Sequence, residues 1–167
     1  TALPRQQTLQ ATMDWSYELL PDDERTLLNR LAVFVGGWTL EAAESVASDP
    51  SPRFASGQAQ RRVKGRKHRA TRHPSPITRE DILDLTTHLV DKSLIILDEQ
   101  AEGTRYRMLE TIRQYGLGKL MEAHEVDRLR EQHLAYYLSL AESAEPHFFH
   151  PDQLKWYVHI DTELETM

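Results

Sequence analysis

The stretch ILDLTTHLVDKSLIILDEQAEGTRYRMLETIRQY, Ile82 to Tyr115, changes its hydrophobic period three times. Ile82, Leu85 and Leu89 recur at the three-and-four spacing of one helix face. Leu94 to Leu97 is a short β-favouring run, and Arg105, Tyr106, Arg107 and Met108 alternate polar with apolar. The polar residues Asp98 to Gly103 between the two runs predict a turn. A further helix opens directly out of the second strand, with Leu109, Ile112, Gly116 and Leu120 on one face. If the first helix buries the face so drawn, Leu89→Ala costs about 2–5 kcal/mol, which a denaturation midpoint measures.

Helix, hairpin, helix is the skeleton of a winged helix, and the flanking sequence extends it. Thr8 is placed to cap a helix in which Leu9, Met13, Tyr17 and Leu20 share a face. Pro21 followed by Asp22, Asp23 and Glu24 is favourable first-turn chemistry, since Pro has no donor to lose and the acids meet the positive end of the helix dipole. That second helix points Leu27, Leu28, Leu31 and Phe34 inward, and Gly36-Gly37 is expected to break it. Thr39 then caps a short helix to Ala47, and Thr78 with Asp81 reads as a capping pair that starts the helix to Asp91. Gly116 and Gly118 each cost about 1 kcal/mol against Ala inside a helix, which implies a close backbone neighbour or a bend. A helix from Glu125 to Glu142, with Val126, Leu129, His133, Tyr136 and Leu140 in phase, ends at Pro146, and Pro151 begins another. The fold class is mainly α: a winged-helix-like domain over residues 1–122, with a two-stranded hairpin, and the first helices of an α-helical repeat region over 123–167.

The formal charge of −6 is unevenly spread. Pro52 to Arg79 holds nine Lys or Arg and no acid, so the other residues carry 11 basic against all 26 acidic side chains. Ser48 to Ile77, rich in Pro, Ser, Gln, Lys and Arg, buries too little to offset an ordering cost of about 1–2 kcal/mol per residue. It reads as a mobile, disordered basic insertion.

Most chemistry is missing. With no Cys there is no thiolate ligand, disulfide or cysteine nucleophile. No glycine-rich phosphate loop occurs, and Gly36-Gly37 leads into Trp38 and Thr39, a turn. His147, His150 and Asp152 lack the further ligands that a metal site needs. No catalytic residues and no metal are assigned. No apolar run reaches the ~18 residues of a membrane span, and no signal peptide is present, so a cytoplasmic setting is expected. Thr1 in place of Met, and HIDTELETM (159–167) stopping inside a helical pattern, predict a piece of a longer protein. A winged helix can lay its second helix in the DNA major groove. Here the exposed positions of that helix are Glu80, Asp81, Asp84, Thr87, His88 and Asp91, and four acids oppose phosphate contact. The better nucleic-acid candidates are Arg61, Arg62, Lys64, Arg66, Lys67 and Arg69 of the basic insertion.

Four segments, QTLQATMDWSYELLPDDERTLLNRLAVFVGGWTLEAAESVA (7–47), ILDLTTHLVDKSLII (82–96), RYRMLETIRQYGLGKL (105–120) and HLAYYLSLAESAEP (133–146), together resemble the region that follows the ATPase core in bacterial STAND-type regulators. That family, with LuxR- and SARP-like members, joins an NB-ARC-like NTPase module to a winged helix and then to tetratricopeptide-like helices. The resemblance implies a non-catalytic regulatory segment of a transcriptional regulator. It implies no cofactor within this chain, ATP or ADP in an upstream domain, and the upstream NTPase module and downstream helical repeats as partners. Many NB-ARC proteins carry Met-His-Asp after the wing, where the His approaches the ADP β-phosphate. The matching position here is Met108-Leu109-Glu110, the candidate nucleotide-sensing site, and Leu109 has no hydrogen-bond donor to offer and reads as a core residue. The alternative reading is a direct DNA-binding winged helix that uses the basic insertion.

Overall fold

The computed structural model describes residues 4–49, 76–100, 103–146 and 156, with side chains from residue 11 onward. Its elements are α1 (Pro4–Glu18), α2 (Asp22–Leu31), β1 (Gly37–Trp38), α3 (Leu40–Ala47), α4 (Arg79–Asp91), β2 (Ile96–Gln100), β3 (Gly103–Arg107), α5 (Glu110–Glu122) and α6 (Val126–Ala144). Three helices, α2, α3 and α4, pack on one another, and α3 meets β3 at the centre of a three-stranded antiparallel sheet of order β1-β3-β2. The arrangement is winged-helix-like, and α5 and α6 follow it.

Sequence periodicity correctly placed the inward faces of α2 and α4. Leu27, Leu31, Phe34, Ile82 and Leu89 are fully buried, with Leu28 and Leu85 nearly so. They form one core with Trp38, Ala42, Val46, Ile95, Leu120, Leu129 and Tyr137. Thr39 caps α3 by accepting the Ala42 N–H at 3.3 Å. At the start of α4, one Asp81 carboxylate oxygen accepts both the Thr78 N–H at 2.9 Å and the Thr78 hydroxyl at 2.6 Å. These two contacts hold the Asp81 carboxyl below the usual carboxylate range.

Several boundaries differ from expectation. Helix α1 begins at Pro4, so Thr8 lies inside it and is not its cap. Helix α2 stops at Leu31, before the glycines, because the chain must turn there to enter β1. Gly37 pairs with Arg107 and Trp38 with Tyr106, so the predicted two-stranded hairpin is one side of a three-stranded sheet. Gly37 serves close approach: a Cβ there would sit 3.0 Å from the Tyr106 carbonyl oxygen. The predicted turn at Asp98–Gly103 is shorter, since Asp98 pairs with Arg105, Glu99 with Thr104 and Gln100 with Gly103. Ser48, Asp49 and Ile77, assigned to the disordered insertion, are ordered. Ile77 is buried, and it exchanges two 2.8 Å hydrogen bonds with Asp49, through backbone N–H to carbonyl one way and backbone N–H to carboxylate the other.

Of the two glycines in α5, one has a packing reason. A Cβ on Gly116 would lie 3.1 Å from the Ala32 Cβ and 3.4 Å from the Leu28 carbonyl oxygen, so α5 crosses α2 at close range. Nothing crowds Gly118 within 4 Å. Helix α6 packs on α3 and α5. Its His133 ring meets Phe34 edge-on at 5.1 Å and Tyr137 at 4.7 Å, and burial pushes the imidazole pKa down. The helix expected from Pro151 lies outside the described residues apart from Trp156.

Candidate functional site

The face that a winged helix would turn to DNA is the outer side of α4. Glu80, Asp81, Asp84, Thr87, His88 and Asp91 are all exposed, as the sequence predicted. Leu83 stands among them, 47% exposed. The cations near this face do not offset the acids. Glu24, a buried carboxylate of α2, pairs with Lys92 and lies 3.5 Å from His88 Nδ1, drawing both toward the α2 side. Arg79 is exposed at the first turn, and Asp98 sits opposite Arg105 across the sheet. Thus α4 presents an acidic surface with an apolar residue in its middle, chemistry suited to a cationic partner and unfavourable for a phosphate backbone.

The junction after the wing separates its three candidates. Met108 is buried. Leu109 precedes α5 with φ −63° and ψ 140°, and it is 48% exposed, contrary to the expectation that it packs in the core or on the α5 inner face. An N-cap residue leaves the helix direction before the first turn, so the helical phase that links Ile112, Gly116 and Leu120 does not extend to it. Glu110 opens α5 and is forked to Arg113 at 2.7 and 2.8 Å, with Gln114 Nε2 donating to it at 2.9 Å. The Arg113 and then the Gln114 hydrogen bonds bring its carboxyl down to about 2. Leu109 borders an apolar cavity of about 250 Å³ between α1 and α5, walled also by Met13, Tyr17, Leu28, Ile112 and Tyr115. Met108 is thus buried, Leu109 borders the apolar cavity and Glu110 is held by its own helix, and neither the Leu109 nor the ionised Glu110 side chain offers a hydrogen-bond donor.

Arg61, Arg62, Lys64, Arg66, Lys67 and Arg69 lie outside the described residues, as do His147, His150 and Asp152. Among the described residues no group of three or more His, Asp or Glu is placed to hold a metal, and no helix is long and apolar enough to cross a membrane.

Two charged groups that matter escaped the sequence reading. Glu24 and Arg30 are 4% exposed each, and both fall in phase with Leu27 and Leu31 of α2 and with Phe34 just beyond it. A charge at an apolar phase position is the signal that marks them. Arg30 donates to the Ala47 carbonyl at 2.9 Å, to Asp49 at 2.9 Å and to the two Glu125 oxygens at 3.1 and 3.3 Å. Burial alone would lower its pKa, but the Asp49 and Glu125 hydrogen bonds outweigh that and raise it.

No family model matches the chain, and no solved structure matches it significantly. Over 142 residues, 85% of the chain, it is 39% identical to a provisionally named HTH-type transcriptional regulator of Mycobacterium tuberculosis and to its counterpart in Mycobacterium bovis. Over 126 residues it is 34% identical to an uncharacterized Mycobacterium tuberculosis protein. It spans only 13% of the first two relatives and 26% of the third. The chain is thus a homologue of one segment of much longer mycobacterial proteins, of which the first two carry the name of HTH-type transcriptional regulators.

Proposed function

We propose that this chain is the winged-helix regulatory segment, with the first helices of the following helical region, of a signal-responsive STAND-type ATPase transcriptional regulator. It is non-catalytic, works in the cytoplasm and couples an upstream nucleotide-binding module to sensor and output domains. In this reading residues 1–122 are the regulatory unit and 123–167 begin the helical sensor. The acidic outer face of α4 carries the proposal, because a reading helix with Glu80, Asp84 and Asp91 outward is repelled by DNA and attracted to a basic protein surface. The names and lengths of the mycobacterial relatives support a regulatory setting within a larger protein.

A second reading has its own support, the HTH designation of those relatives. There the winged helix binds DNA directly, with the six basic residues Arg61 to Arg69 supplying phosphate contacts. Titrating labelled duplex DNA with the chain, across salt, separates the two. The coupling reading expects no binding tighter than the non-specific range of about 10⁻⁴–10⁻⁶ M at physiological salt. Tight binding that is lost when the six are changed to Ala overturns it in favour of direct DNA contact. Calorimetric titration with ADP and with ATP tests the other half. No heat of binding is expected, and micromolar affinity overturns the upstream placement of the nucleotide.

A further inference from the structure

We propose that Arg30 is a coupling residue that links closure of the α3–α4 connection to the seating of α6. The observations lie around one buried cation, and they require nothing about DNA or nucleotide. Asp49 follows α3 and Ile77 precedes α4, and their paired hydrogen bonds close the connection between the two helices. The Asp49 carboxylate is divided: one oxygen receives the Ile77 N–H at 2.8 Å, and the other receives Arg30 Nη2 at 2.9 Å. The same guanidinium holds Glu125, the residue at the N-terminal boundary of α6, through Nε and Nη2. Glu125 follows His124, whose φ of 57° sets the turn out of α5, and it also faces Arg128 at 3.3 Å.

The Arg30 side chain is 5% exposed, against 25% for Asp49 and 31% for Glu125. Opening the Asp49–Ile77 closure releases Asp49 to water at little cost to Asp49 itself. Arg30 cannot follow it, since it is anchored in α2 and enclosed. It is left with an unpaired buried donor, and its remaining partners, Glu125 and the Ala47 carbonyl, must reorganise around it. A perturbation at the closure therefore reaches the first turn of α6 through a single cation. Opening the Asp49–Ile77 pair loosens α6, and a displaced α6 weakens that pair in return, because such coupling is reciprocal.

Hydrogen exchange on the 167-residue chain tests this. Asp49→Ala is expected to speed exchange of the amides in the first two turns of α6 by at least about fivefold, with a smaller change in α1, which these residues do not touch. In an Arg30→Met background, the same Asp49→Ala change is expected to alter those amides by less than about twofold, the range of additive behaviour. An equal response in both backgrounds overturns the proposal and leaves Arg30 as packing only. Should Arg30→Met fail to fold, Glu125→Gln supplies the second background, since it weakens the other arm of the same guanidinium. A full Asp49→Ala response of α6 in that background overturns the proposal equally.

Discussion

Replacing Trp38 with alanine is expected to lower the free energy of unfolding by about 3–5 kcal/mol, read as a shift of the urea midpoint. Trp38 is fully buried and stacks on Phe34 with ring centroids 5.5 Å apart and planes at 26°. Phe34 in turn receives the edge of His133 from α6, so truncating the indole opens a void under two layers at once. The substitution also removes the one large side chain of β1, a strand of only two residues that pairs with β3. Trp38→Phe is the informative companion. The indole N–H has no hydrogen-bond partner among the described residues, and leaving such a donor buried is unfavourable. Phenylalanine removes the donor and keeps most of the ring, so its cost is expected to be well below that of alanine. Equal costs for the two would show that the whole indole volume, and not ring stacking, holds the position.

Arg30→Ala is expected to cost about 1–3 kcal/mol, because it removes the hydrogen bonds to Asp49, Glu125 and the Ala47 carbonyl, while the two carboxylates left behind stay partly hydrated. The pH dependence has a defined sign. Burial alone would raise the Asp49 carboxyl, but the hydrogen bonds from Arg30 and from the Ile77 N–H, with the Arg30 charge, hold it below its ordinary value. The unfolded carboxyl then takes up a proton first as the pH falls. The stabilisation is complete above about pH 4 and is lost as the pH drops through the lower, folded value. In Arg30→Ala this acid limb flattens, which denaturation at pH 7 and at pH 3 resolves.

The helices and the hairpin were legible because their signals are local. Ile82, Leu85 and Leu89 keep one phase, and Thr78 and Asp81 cap their helix through contacts only three residues apart. What the sequence hid is long-range or unphased. A two-residue strand has no period, and the partner of Gly37 is Arg107, far along the chain. The ends of α4 and α5 are closed by Ser93 and His124 at φ 59° and 57°, positions where glycine is the usual marker and here is missing. Leu109 fits the apolar phase of α5 on paper, yet it sits just before the helix begins, where phase has no meaning. The acidic character of α4 was readable residue by residue. That Glu24 pairs with Lys92 and with His88 was not, since those pairings span 68 and 64 positions.

The paired hydrogen bonds of Asp49 and Ile77 also bear on how such a chain can evolve. They hold positions 49 and 77 side by side, and for a loop that joins two such neighbouring points the closure entropy rises by only about 0.6 kcal/mol for each doubling of length. A change in the number of residues between these two positions is therefore nearly neutral for α3 and α4 on either side.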